Sequence, residues 1–350
     1  MGMKVMVTGH NGYIGTTLVR MLKETGHEVL GVDAFLFESC CLGPPPVPVD
    51  QEIHEDIRDL HLTDFDGVDA VIHLAALSND HLGKLSSRVT YDINHRASVR
   101  LAQLAKRAGV PRFLYSSSCS IYGAAGPAEV LDETAAFHPV TSYAESKVLA
   151  ERDLARFADQ DFCPVYLRGA TAYGFSPHLR ADLVVNSLTG WVFFTGKVLI
   201  QSDGSPWRPF VHVEDIARAF MAMLTAPREQ VCNEAFNVGR TEANYQIRQV
   251  AELVRQSVPG SRLEYAPDAG PDKRCYRVDF AKIHRVVPEF EPRWTLEEGI
   301  EQLGRAFRDY HLERSDFEGP KFLRIRHIQR LINQELLDRN LRWIPQYAHA

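Results

Sequence analysis

The sequence has no surplus of positive charge. Its 39 lysines and arginines stand against 45 aspartates and glutamates, a formal net charge of -6, so nothing electrostatic draws the chain to nucleic acid or to an anionic membrane surface. It also lacks any apolar run long enough to span a bilayer. The opening MGMKVMVTGH enters a strand pattern with no cleavable apolar segment, and Met6 stands where an N-myristoylation signal needs serine or threonine. Zinc-type spacings are missing too. The six cysteines (Cys40, Cys41, Cys119, Cys163, Cys232 and Cys275) include no CxxC pair, which argues against a metal site and fits free thiols in a reducing cytoplasm. Vicinal Cys40 and Cys41 read as loop residues, and no internal repeat is found. These absences leave small-molecule chemistry in a cytoplasmic protein, with no metal, nucleic-acid or membrane partner expected.

What is present is an ordinary globular composition, 45% hydrophobic and 24% charged over 350 residues, enough for one large domain or two interleaved ones. The N-terminal half alternates in period. KVMVTG (4–9), EVLGVD (28–33), AVIHLA (70–75) and RFLYSS (112–117) are short β-rich runs of the kind that parallel strands buried on both faces produce. Between them lie helical patterns closed by glycine, at 15–26 and 94–109. The repetition predicts an α/β fold: a Rossmann-type doubly wound parallel sheet, with a smaller, irregular C-terminal substrate domain. The expected division is 1–175 for the sheet domain, with 205–238 returning to it, 176–204 and 239–310 for the substrate domain, and 311–350 for a helical extension. The proline-rich stretch 41–50 is a loop, because the strand pattern resumes after it.

Two motifs carry chemistry. In TGHNGYIG (8–15), Gly9, Gly12 and Gly15 follow a strand and open a helix, with Asn11, Tyr13 and Ile14 in the same turn. Glycines there let the backbone turn tightly, approach a pyrophosphate and offer it the helix N-terminus. Asp33 ends the second strand, where a carboxylate can accept both ribose hydroxyls of an adenosine while its charge repels a 2′-phosphate. No arginine or lysine follows before Arg58, so NAD is expected over NADP. Asp56 and Ile57, at the end of the next strand, are expected beside the adenine. The second motif is YAESK. Tyr143 and Lys147, spaced i, i+4, share one helix face. A free tyrosine, with a pKa near 10, is a poor base at neutral pH. A nearby ammonium and a cationic nicotinamide ring favour the phenolate, which can then take a proton from a sugar hydroxyl.

Together with HLAA (73–76), SSSCSIYG (116–123), WRPFVHVEDIARAF (207–220) and FNVG (236–239), these motifs resemble the extended short-chain dehydrogenases/reductases, and among them the nucleotide-sugar epimerases and dehydratases. The resemblance covers roughly residues 4–310. It implies that Ser118 is the catalytic hydroxyl beside Tyr143 and Lys147, and that Leu74, Ala75, Ala76 and Asn94 line the cofactor. It implies that Ser78, Ser120 and Thr171 face the sugar, and that Arg208 and Arg274 clamp its diphosphate. It also implies a homodimer through helices 94–108 and 143–158. Sequences similar to dTDP-glucose 4,6-dehydratase carry Asp-Glu after the catalytic hydroxyl; UDP-glucuronate decarboxylases carry a Glu there, and GDP-fucose synthases place a Cys two positions on. This chain has Cys119 and Ser120. The nearest likeness is therefore to the UDP-glucose 4-epimerase type, with a nucleotide-diphosphate sugar as substrate. A dehydratase, a reductase or an epimerase acting at another carbon with the same triad is the alternative. A non-catalytic NAD-sensing regulator is the outsider, since such proteins usually lose the Tyr and Lys kept here. Where epimerases often have Asn, this chain has Thr171, which leaves the sugar open. The tail centred on FLRIRHIQRLINQELLDRNLRW reads as an amphipathic helix with a basic face (Arg324, Arg326, Arg330), packed on its own subunit or on a dimer mate.

Overall fold

The computed structural model describes residues 2–78, 86–270, 272 and 274–345. Its centre is a seven-stranded, all-parallel sheet: β1 (Lys4–Thr8), β2 (Glu28–Asp33), β3 (Gln51–His54), β4 (Ala70–His73), β5 (Arg112–Ser118), β6 (Cys163–Gly169) and, further on, Ala235–Val238. The spatial order is 235–238, β6, β5, β4, β1, β2, β3. The chain reverses its direction of winding between β1 and β4, and ligands of such sheets bind outside the strand ends at that switch point. Period-two alternation builds both cores. Val5 and Val7 of β1 pack with Leu18, Val19 and Leu22 of helix α1 (Gly15–Glu24) on one face. Met6 points to the other face, where α2 (Ser98–Arg107) and α3 (Ser142–Leu154) contribute Leu101, Ala105, Ala150 and Leu154. Each such fully buried Val, Leu or Met side chain contributes about 1.5–3 kcal/mol.

A second, smaller sheet lies apart from the seven-stranded one in pairing. β7 (Thr171–Tyr173), β8 (Trp207–His212) and β9 (Asn244–Gln246) form a three-stranded sheet in the order β9, β8, β7. Around it a third core gathers Val185, Leu188 and Val192 of α4 (Val184–Thr195) with Ile300, Leu303 and Phe307. Within 205–238, β8 pairs in the small sheet, while α5 (Val213–Thr225) packs on the large sheet and strand 235–238 pairs in it.

Several local expectations shift. The second helix begins seven residues early, at Ser87, and passes through a π-helical turn (Asp92–Ala97) into α2. The third strand ends at His54, so Asp56 and Ile57 sit in the following turn. The tail does carry a helix, α6 (Arg324–Asn333), and its Ile328 and Leu331 join the core beside α2 and α3 of the same chain. The expected basic face is not formed as such: Arg326 is exposed, but Arg324 lies inside. No helix among the described residues is long and apolar enough to cross a membrane.

Candidate active site

A single cavity of about 1080 Å³ runs from Asp33, past the ends of β1, β4 and β5, to Arg208 and Arg274. At its cofactor end, Gly9 has φ +74°, and a Cβ there would stand 2.8 Å from Ala75 N; a Cβ on Gly15 would stand 2.2 Å from Gly9 O. Both positions need glycine for these close approaches. The first turn of α1 has no acidic residue and no side-chain cap, leaving its N-terminal N–H groups for an anion. Asn11, Gly12, Tyr13 and Ile14 all line the cavity, although the Tyr13 hydroxyl is turned away to donate to Gly174 O at 2.6 Å. Asp33 accepts from the N–H of Phe35 (2.8 Å) and Asn11 (3.1 Å). Burial raises its carboxyl above the usual range, with His10 and those two donors acting against it. Asp56, Ile57, Leu74, Ala75 and Ala76 also line the cavity. Asn94 stands behind the wall. It is fully buried, accepts from Leu77 N (2.8 Å) and donates to Leu77 O (3.1 Å), so it shapes the loop after β4 and does not itself reach the cavity.

The hydroxyl cluster at the end of β5 divides by role. Ser117 donates to Glu151, which is held by Arg168 at 2.7 Å, a buried ion pair behind the sheet end. Ser118 opens a 3₁₀ turn, its Oγ accepting from Ser120 N at 3.1 Å. The Ser120 hydroxyl oxygen is shielded from water and has no hydrogen-bond partner among the described residues, and its residue lines the cavity. Cys119 is buried and donates to Arg168 O at 3.1 Å; burial pushes its thiol far above the ordinary range. Thr141 caps α3, accepting from Ala144 N at 3.2 Å, and this sets Tyr143 and Lys147 on the cavity side. Lys147 Nζ donates to Ser116 O at 2.6 Å and lies 4.7 Å above the Tyr115 ring and 5.8 Å from the Tyr143 ring centre. Burial lowers its ammonium to about 7, with Glu151 acting the other way.

At the far end, Thr171, Arg208 and Arg274 line the same cavity. Both arginines meet one carboxylate, Asp272, at 3.2 and 2.7 Å. Ser78 Oγ accepts from Arg180 Nη1 at 3.0 Å, and Arg180 pairs with Asp182 at 2.9 Å. Arg180 and Asp182 were not read from the sequence; an Arg-x-Asp pair inside an otherwise apolar stretch was their signal. Arg324, at the start of α6, also lines the cavity.

The arrangement thus joins a glycine turn at a helix N-terminus, a Ser/Tyr/Lys group and an end carrying Arg208 and Arg274 in one cavity. A model of the "NAD dependent epimerase/dehydratase family" matches residues 5–239. UDP-glucose 4-epimerase of Mycolicibacterium smegmatis is 29% identical over 318 residues, 88% of this chain and 99% of that one; dTDP-D-glucose 4,6-dehydratase of Mus musculus is 26% identical over 322 residues, 87% and 88%. Among solved structures, MoeE5 in complex with UDP-glucuronic acid and NAD is 28% identical with a TM-score of 0.76, covering 87% of this chain and 99% of that one. UDP-glucose 4-epimerase of Thermotoga maritima with UDP-glucose is 26% identical, also at 0.76, covering 89% and 100%. The motif-based likeness to the extended short-chain dehydrogenases/reductases and the family match, which spans more than half of the sequence, agree: the chain belongs to the NAD dependent epimerase/dehydratase family.

Proposed function

We propose that the protein is a 4-epimerase of a nucleotide-diphosphate sugar. Bound NAD would supply reversible hydride acceptance, so no external oxidant would be consumed. The chain's own residues do the rest. Tyr143 holds and moves the proton of the carbon-4 hydroxyl, Lys147 favours its phenolate, and Ser118 donates to the same oxygen. Arg208 and Arg274 hold the diphosphate, and the sugar end is free to turn over within a cavity lined by Thr171, Ser78 and Ser120. The observation that carries this reading is the pair that follows Ser118. Eliminating water needs an acid and a base; Cys119 is a buried thiol bonded to a backbone carbonyl, its titration driven upward by burial, and Ser120 has no ionisable group.

The relatives also include a 4,6-dehydratase, so the test must separate elimination from epimerisation. Purified protein is incubated in D₂O with a panel of UDP-, dTDP-, GDP- and CDP-sugars, and the products are read by mass spectrometry and NMR. The expected product has the mass of its substrate, inverted carbon 4, and no deuterium at carbon 5 or 6. Deuterium at carbon 5, or a product lighter by one water, overturns the reading.

A further inference from the structure

The C-terminal segment is fastened to the adenosine end of the cavity. His327 Nε2 meets the carbonyl of Leu36 at 2.9 Å, and the Trp343 indole N–H donates to the Ala34 carbonyl at 2.6 Å. Arg58, already paired with Asp56, donates to the carbonyls of Asn340 (3.0 Å) and Leu341 (3.3 Å). Arg342 pairs with Asp59. These attachments flank Asp33, Asp56 and Ile57, and they set Leu323, Arg324 and Ile325 into the cavity wall.

Arg324 is an unusual wall residue. It is 3% exposed. Its Nη2 donates to His178 O at 3.1 Å, and its guanidinium carbon lies 4.1 Å from the Phe37 ring centre. Its Nη1 is shielded from water and has no hydrogen-bond partner among the described residues. Arg180 pairs with Asp182, and Arg208 and Arg274 share Asp272 at the far end of the cavity; Arg324 shares in none of these pairs. A buried charge left short of partners is unfavourable, and an anion in the cavity offsets that. Burial pushes this guanidinium down to about 10, with Arg180 acting the same way and Cys40, Asp182 and Asp33 acting against it, so charged groups on both the Asp182 and the Asp33 sides of the cavity feel it. In a dinucleotide bound there, adenine and ribose are neutral and the nicotinamide ring is cationic, which leaves the pyrophosphate as the anionic part.

We propose that Arg324 is a cofactor-binding residue, whose Nη1 donates to the pyrophosphate of bound NAD, and that the C-terminal segment is thereby a working part of the dinucleotide site. This holds whichever reaction the sugar undergoes.

The test uses full-length protein stripped of nucleotide and titrated calorimetrically with NAD, ADP, adenosine and UDP. Arg324→Gln should weaken NAD and ADP by about tenfold or more, the scale of a charge-assisted hydrogen bond, with adenosine and UDP unchanged within twofold. Arg326→Ala, on the exposed side of the same helix, should leave all four unchanged. Equal losses for adenosine and NAD would mean that Arg324 only packs the wall, and unchanged NAD affinity would mean no contact; either overturns the proposal. A loss confined to UDP overturns it as well, by giving the guanidinium to the sugar nucleotide's diphosphate. Should the glutamine variant fail to fold, Arg324→Lys carries the same comparison. It keeps the charge but not the fork, so NAD weakened about threefold or more against unchanged adenosine supports the proposal, and unchanged NAD overturns it.

Discussion

The cofactor choice can be turned into a number from the position of Asp33. Its carboxylate is held by the N–H groups of Asn11 and Phe35, so it cannot swing away from a nucleotide seated at the end of β2. A 2′-phosphate would come within about 4 Å. At that distance two unit charges repel by about 1 kcal/mol in water-like surroundings and about 4 kcal/mol at the effective dielectric of a protein surface. A phosphate monoester carries roughly 1.5–2 charges at neutral pH, so the penalty is at least about 1.5 kcal/mol, roughly tenfold, and reaches about 6 kcal/mol, roughly 10⁴-fold, where the site is drier. We expect calorimetric titration of stripped protein at 100 mM salt to show NAD binding at least tenfold more tightly than NADP. Asp33→Asn removes the charge and keeps the shape, and should pull the ratio toward one chiefly by strengthening NADP. A wild-type ratio below ten refutes the argument, and so does an Asp33→Asn ratio equal to wild type.

Tyr143→Phe should lower turnover by about 10²-fold or more while nucleotide-sugar affinity stays largely intact, and Ser118→Ala should cost less, since it removes a hydrogen bond and not the base; kcat and KM measured separately decide this. Lys147 titrates near 7 in the fold against 10.5 for its ordinary value. Between those pH values the unfolded chain holds a proton that the native chain lacks, so this site makes stability rise with pH by up to about 1.4 kcal/mol per unit; urea midpoints at pH 7 and 9 should show a rise in wild type that is smaller in Lys147→Met. Gly15→Ala places a methyl 2.2 Å from one backbone oxygen and 2.5 Å from another, and should abolish NAD retention on gel filtration. The half-exposed Val99 on α2 and Leu149 on α3 fit a homodimer contact; sedimentation at micromolar concentration should give twice the 39.5 kDa chain mass, and a monomer would contradict it.

Legibility from sequence followed the range of the interactions. β2 was readable to the residue because its period and its closing Asp33 are local. The glycine turn and the Tyr143–Lys147 pair were readable because their geometry lies within a few residues. The hold of Asn94 on Leu77 was not legible, because that partner belongs to a loop after another strand. Arg180 and Asp182 depend on which loop faces Ser78, a long-range fact. Arg324 is the instructive case. It was counted on a basic face by its charge, yet Arg324, His327, Ile328 and Leu331 repeat at i, i+3, i+4 and i+7 and form the buried side of α6. The period held the answer, and the assumption that an arginine must face solvent hid it.

The cofactor cavity is walled by residues from opposite ends of the sequence, and this gives its assembly an order in time. Asp33 and the glycine turn leave the ribosome first; Leu323 to Ile325 follow Asp33 by about 290 residues, roughly 15–60 s later at a synthesis rate of about 5–20 residues per second. The last strand of the large sheet, 235–238, emerges in between. During that interval the adenosine end is an open groove at the edge of a growing sheet, and the segment that roofs it does not yet exist. The part of the wall that Leu323, Arg324 and Ile325 supply is therefore the last to be added.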